Sequence, residues 1–502
     1  MGIRLNLALP ALGGRGVKDF HQVLVLFLYS LSTASPNSRS CIKMAGDSSL
    51  SLGEFSKVFK RISTAVERWN YNLHEAIKHA SKHVKDKLVK DFLERLSDSL
   101  TLDVNLREFM KIEFERMLAS LTEEFDRGLE KAKKLIDGYS ALLTSATFLS
   151  VSMLLLSVIY GMSVERLLTL TAIGISAILG AMTYLISSSL PADPILSESM
   201  RAPRTPILLR RILPALIPLL LSAATLILLS GRGNAVLDPF SLSTLISGIP
   251  LLAIGRIGLR WVKAAEQVDR RLPSFMKDLG DAAEISGSLK SACKLALMND
   301  YDPLNKPLRK LRRRLELGFD QRKALEVFGE ESFSRLASTM SKVMADALGH
   351  GSKPSETGKA IHDYLLRRLE NRRKRMQAAG MLWGIALPLQ GSFAAFSALI
   401  TALMRTLYHF MKLIESWFPL ISAIPVTMIR SFFYAIGLGM AVASALAYYR
   451  LRGDSIFTFA YGLGALLAAT GAAHLLAYHA SNKLIELTTK LTENISSIVG
   501  EL

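Results

Sequence analysis

Three stretches of this chain carry residue types that could do chemistry. The first, Gly351-Ser352-Lys353-Pro354-Ser355-Glu356-Thr357-Gly358-Lys359, has the composition of a loop that cradles phosphate with backbone amides and a lysine. Such loops need four residues between the glycines and a Ser or Thr after the lysine. Here six intervene and Ala360 follows, so the spacing points to a helix-to-helix turn, with Gly349 or Gly351 at positive φ and Pro354 starting the next helix. The second stretch holds His74, His79 and His83, five and four residues apart. Imidazoles on one helix can bind zinc, but acidic or cysteine partners at ligand spacing are missing, and a solvated helix surface is the better reading. The third is a basic helix. Leu304, Leu308, Leu311 and Leu315 align on one side, Lys306, Arg309, Lys310, Arg313 and Arg314 fall on or towards the other, and Arg312 lies at the flank. Its chemistry is attraction: for water, for anionic headgroups, or for an acidic partner. Its counterpart further on is Arg367, Arg368, Arg372, Arg373, Lys374 and Arg375, directly before an apolar run, where an anchor at the inner leaflet is expected. No Ser/His/Asp constellation shares an element, so neither an enzyme nor a cofactor is expected.

The elements that must carry these residues are set by composition. The 502 residues are half hydrophobic, with a net charge of +18 and two cysteines, Cys41 and Cys293. Apolar residues gathered in runs of membrane length beside basic stretches indicate an all-α polytopic membrane protein, and membrane orientation explains the charge without nucleic acid. Residues 1–53 are an uncertain N-terminal extension, because the apolar run 23–31 is too short to cross a bilayer core of ~30 Å. It reads as signal-like, as disordered, or as never made if translation begins at Met44, and no functional weight rests on it. Residues 54–139 form a first helical bundle, with Phe55, Val58, Phe59, Ile62, Val66 and Trp69 at helical spacing. Residues 140–256 hold spans 1–4, at 140–160, 167–186, 212–230 and 240–255, with an arginine-bearing linker at 187–211. Residues 257–380 form a second bundle, 381–479 hold spans 5–7, and 480–502 are an external tail. Placing both bundles, the arginines of the linker and the turn at Arg450 inside puts the N-terminus in the cytoplasm and the C-terminus outside. Only Arg405 and Lys412 weakly oppose this. Arg430, at the start of span six, is expected to snorkel to the headgroups, and His474 and His479 to hydrogen bond at the interface.

The two bundles repeat. Leu96, Leu100, Leu102, Val104, Asn105 and Arg107 match Leu311, Leu315, Leu317, Phe319, Asp320 and Arg322 at one constant offset, and Leu73, Ala76 and Ala80 match Leu289, Ala292 and Ala296 at nearly the same one. The first copy of the basic helix carries mixed signs: Lys90, Asp91, Glu94, Arg95 and Asp98.

The second repeat resembles the type II secretion system F superfamily, the membrane platform proteins of type IV pilus-like machines. The resemblance lies in the Gly287 turn followed by Leu289 and Ala292, in Pro303-Leu304 before a basic helix, in Leu315-Glu316-Leu317-Gly318-Phe319 before Ala324-Leu325, and in Ala347-Leu348-Gly349-His350-Gly351 ahead of Ile361. His350, Lys353 and Pro354 depart from the superfamily's usual turn. The tandem duplication is similar to the archaeal form, found in archaellum (archaeal flagellum) and archaeal pilus assembly. The resemblance implies a membrane platform that docks a cytoplasmic secretion ATPase, gathers pilin- or archaellin-like subunits from the lipid, and forms a homodimer. ATPase-docking candidates are Arg309, Lys310, Arg312, Arg313, Arg314, Arg322 and Lys323. The competing class is a transporter or channel with regulatory bundles, which would place ionisable groups in mid-span.

Overall fold

The computed structural model describes residues 17–35, 37–48, 52, 55–84, 86–160, 164–197, 204–230, 238–414 and 425–500. These form sixteen helices: α1 (Val17–Ala34), α2 (Ser38–Asp47), α3 (Ser56–Trp69), α4 (Leu73–Ser81), α5 (Lys87–Thr101), α6 (Leu106–Tyr160), α7 (Val164–Ser189), α8 (Arg204–Leu229), α9 (Pro239–Ser286), α10 (Leu289–Ala296), α11 (Asn305–Glu316), α12 (Gln321–Glu331), α13 (Arg335–Gly349), α14 (Pro354–Ile414), α15 (Val426–Arg452) and α16 (Ile456–Gly500). No strand forms among the described residues, only an isolated bridge between Leu196 and Ser334. Seven of the helices, α6 to α9 and α14 to α16, contain stretches long and apolar enough to cross a membrane. The protein is an all-α polytopic membrane protein. Continuous helices run through residues 139–140, 256–257, 380–381 and 479–480, so no break in secondary structure marks those positions.

The chain divides into two compact units. One comprises Met1–Arg127, Pro194–Pro203 and Val262–Arg373, and holds both repeats around a single hydrophobic core. At its heart lies α1. Leu24, Val25, Leu26, Phe27 and Leu31 have no exposed surface, as expected of a short helix that is apolar all round. The helix packs on α5 of the first repeat and on α13 of the second. Thr33 Oγ1 accepts a hydrogen bond from the Lys353 amide at 3.0 Å, and Gln22 Oε1 accepts one from the Tyr364 hydroxyl at 3.1 Å. Nine apolar residues, too few for a bilayer, thus suffice for a buried core helix.

The repeat persists in local geometry. In each copy a short helix packs on the next, α4 on α5 and α10 on α11. Each second helix then ends in a residue of left-handed conformation, Asp103 at φ 52° and Gly318 at φ 80°, which stand at equivalent positions. Asn105 and Asp320 follow, and their side chains accept from the backbone amides of Arg107 and Lys323 to start α6 and α12. The turn at Gly287, φ 64°, separates α9 from α10.

The other unit comprises Gly128–Asp193, Arg204–Trp261 and Lys374–Leu502. Here α15 packs on α7 and α16. Glycines let α9 and α16 meet backbone to backbone: a Cβ at Gly248 would lie 2.7 Å from the Ala468 nitrogen, and one at Gly464 would lie 2.7 Å from the Leu252 Cα. Phe148, Leu170, Ile173, Leu219 and Leu226 are largely exposed, which suits surfaces that face lipid. Pro214 and Pro218 sit inside α8, which continues through them.

Candidate docking face of the second repeat

The leucine stripe behaves as its spacing predicts. Leu304, Leu308, Leu311 and Leu315 are all buried, and α11 packs on α10 and α12. The opposite side turns outward with its charge. That charge, however, is not uniformly available. Glu331 of α12 accepts Arg314 at 2.6 Å and lies 3.7 Å from Lys310, so two of the seven candidates tie α11 to α12. Arg312 pairs with Glu316 one turn along the helix at 3.2 Å. Arg322 reaches the buried carboxylate of Asp346 on α13 at 2.5 Å, so its guanidinium neutralises an internal charge. Arg309, Arg313 and Lys323 remain exposed, without an ion pair among the described residues, and Lys306 joins them. The turn beside them exposes Leu317 and Phe319, 69% and 60% accessible, an apolar tip within a basic surround.

Residues missed at the sequence level are the carboxylates that claim these cations. The first repeat gives a signal. There Arg95 and Arg116 converge on the buried Glu113, at 2.7 and 2.6 Å. Arg95 aligns with Lys310, whose partner Glu331 aligns with Arg116. The bridge between consecutive helices is thus kept while its acid has moved by one turn.

The second basic cluster also divides. Arg367 and Arg373 are exposed, and Arg368 and Lys374 are half-buried. Arg372 and Arg375 are buried, with their guanidinium groups turned into the protein. Arg372 binds Asp269 at 2.6 Å inside the unit that holds the repeats. Arg375, in the other unit, donates to the carbonyl oxygens of Leu451, of Pro191 at 2.5 Å and of Arg450 at 2.8 Å. A guanidinium has five donors in a fixed fork, which suits it to tying three chain segments together.

The remaining candidates do little chemistry. Gly351 takes φ 80° and α14 begins at Pro354, as the turn reading requires. The Ser355 amide donates to Glu284 at 2.8 Å and the Ser355 hydroxyl to Asp281, so carboxylates of the protein occupy the helix start that a phosphate would need. Gly358 belongs to a close helix crossing, where a Cβ would lie 2.7 Å from the Met276 carbonyl oxygen. His83 Nδ1 lies 2.9 Å from the His79 carbonyl oxygen, and among the described residues no group of three or more His, Cys, Asp or Glu side chains could hold a metal. Burial pushes the thiols of Cys41 and Cys293 up to about 12, away from reactivity.

In the apolar unit, Arg430 is mostly buried and meets Asp238 at 2.6 Å, a partner the snorkelling expectation lacked. His474 is buried: its Nδ1 lies 3.0 Å from Ser241 Oγ, and its ring stacks on Phe240 at 4.1 Å. Arg201, the segment 415–424 with Trp417 and Phe418, and the side chain of Lys412 lie outside the described residues.

No family model and no solved structure matches the chain. Curated relatives do. The chain is 22% identical over 429 residues to a flagella accessory protein J of Methanocaldococcus jannaschii, a match covering 83% of this chain and 76% of that protein. It is also 22% identical over 371 residues to a flagella accessory protein J of Methanococcus voltae, covering 72% of this chain and 66% of that one. Matches of that length cannot be confined to one repeat.

Proposed function

We propose that this chain is the membrane platform of an archaellum-type filament assembly machine. The observation that carries the reading is the likeness to flagella accessory proteins over 83% of the chain, joined to seven helices long and apolar enough to span a membrane. The platform is neither an enzyme nor a nucleotide binder; energy for assembly comes from a cytoplasmic secretion ATPase. Both repeats lie in the cytoplasm and the C-terminus outside, as the arginine distribution favours. Pilin- or archaellin-like subunits enter from the lipid.

The ATPase docks on the second repeat, through Arg309, Arg313 and Lys323 with Leu317 and Phe319 beside them. Arg314, Arg322 and Lys310 serve this face indirectly, by holding α11, α12 and α13 in register. Charge steering speeds docking more than it tightens it. The unbroken helices α9 and α14 carry the chain from this repeat into apolar segments, so a movement of the repeat has a covalent path to them.

The test is co-purification from membranes. Changing Arg309, Arg313 and Lys323 to Glu abolishes capture of the ATPase, while membrane insertion and thermal stability stay as in the unaltered protein. Unchanged capture sinks the docking assignment. Cells lacking the gene are expected to bear no filament by electron microscopy; normal filaments would sink the platform reading itself.

A further inference from the structure

The repeats are alike in backbone and differ in charge. At the offset that aligns Leu96 with Leu311, Asp103 with Gly318 and Asn105 with Asp320, four acidic residues fall on four basic ones. Asp91 aligns with Lys306, Glu94 with Arg309, Asp98 with Arg313 and Glu108 with Lys323. The three on each helix are spaced by three and four residues and so share a face. All eight side chains are at least partly exposed, and no ion pair joins one set to the other. Glu94 alone has a described ion-pair partner, Lys90 at 3.8 Å, across a half-exposed gap.

Elsewhere the inversion runs the other way, Lys87 against Asp302, Lys111 against Glu326 and Arg116 against Glu331, and some positions keep their sign. Arg95 and Lys310 both remain basic, and each ties its helix to the next one through a carboxylate. Arg107 and Arg322 also remain basic, held by Glu356 and Asp346. Beside each charged face the same turn exposes two apolar side chains, Leu102 and Val104 in the first repeat, Leu317 and Phe319 in the second. One chain therefore carries two related surfaces, each with an apolar tip and complementary in sign at those four positions.

We propose that the occupant of each face is a second copy of this chain: the acidic face of the first repeat in one molecule docks on the basic face of the second repeat in another. Complementary charge sets the register, and the apolar turns exclude water around it. The contact does not depend on the ATPase reading. If both hold, the basic face cannot serve ATPase and second copy at once, and self-association covers it until the ATPase displaces the neighbour.

The experiment uses the full chain in nanodiscs or detergent, without ATPase, with two affinity tags to report co-purification. In one variant Asp91, Glu94, Asp98 and Glu108 become Lys, which makes both faces basic. In the other Lys306, Arg309, Arg313 and Lys323 become Glu, which makes both acidic. Unaltered chains are expected to associate, and more weakly as salt rises. Each variant alone loses self-association by about tenfold or more. Mixed together, they recover it, a result that misfolding cannot produce. A monomeric unaltered chain overturns the proposal, as does failure of two folded variants to pair. Loss on reversing the basic face with no effect from the acidic one also overturns it, and identifies the occupant as an anionic lipid headgroup or an acidic partner. The ATPase reading fails separately, if the variant with two acidic faces still captures the ATPase.

Discussion

Arg372 and Asp269 meet at 2.6 Å with both side chains buried, and Asp269 also accepts the hydroxyl of Ser334. Ser334 in turn caps α13 by accepting from the Ala337 amide at 3.2 Å, and Leu196, from the linker after α7, pairs with its backbone. One buried carboxylate thus organises α9, α13 and α14. Asp269→Ala removes the buried carboxylate that Arg372 and Ser334 share and is expected to cost about 3–5 kcal/mol of stability. Arg373→Ala, one position along and exposed, is expected to cost less than about 0.5 kcal/mol. Thermal unfolding of the purified protein compares the two; equal shifts would place Arg372 back among the surface anchors.

The central position of α1 gives a second expectation. Phe27 has no exposed surface, so Phe27→Ala should destabilise by about 3–5 kcal/mol. A chain beginning at Met44 would lack the helix altogether, and its repeats should become sensitive to protease.

Acid should loosen the unit that holds the repeats, in two stages. Burial, aided by the nearby Arg95, holds the His21 imidazole below its ordinary 6.5. The unfolded chain then takes up the proton first, so this contribution is complete above pH 6.5 and is lost as pH falls below it. Partial burial pushes Glu356 up, but hydrogen bonds from Arg107 and Lys353 outweigh it and hold the carboxyl below its ordinary 4.5. Its contribution is present above pH 4.5 and is lost as pH falls through the depressed value. His21→Gln should flatten the first stage of a stability-against-pH curve, and Arg107→Ala the second.

The seam between α9 and α16 has no room for a side chain. Gly248→Leu should prevent the close approach at Ala468 and cost about 1–3 kcal/mol or more, read as a lower unfolding temperature in detergent. Gly174→Leu, where a Cβ would meet nothing within 4 Å, is the control and should be silent.

Much of the architecture is legible in one dimension because its causes are local. Membrane-length apolar runs, the leucine stripe of α11, the Gly287 and Gly351 turns and the repeat all depend on neighbours a few residues apart, or on identical spacing. The candidate site is legible only in part. Arginine type and density announce a basic surface, but Glu331 and Asp346, which take up Arg314 and Arg322, stand some two dozen positions or fewer away on other helices. Nothing in their spacing marks them as partners.

By itself, then, the sequence determines that this is an all-α membrane protein with a duplicated helical unit, because periodicity and hydropathy are read along the chain. The tertiary structure decides which charges are free. Burial and pairing are properties of packing: they turn Arg372 and Arg375 inward, commit Arg314 and Arg322 to carboxylates, and leave Arg309, Arg313 and Lys323 exposed. Packing also makes α1 a core, since an apolar run too short for a bilayer finds its apolar surroundings only when both repeats close around it.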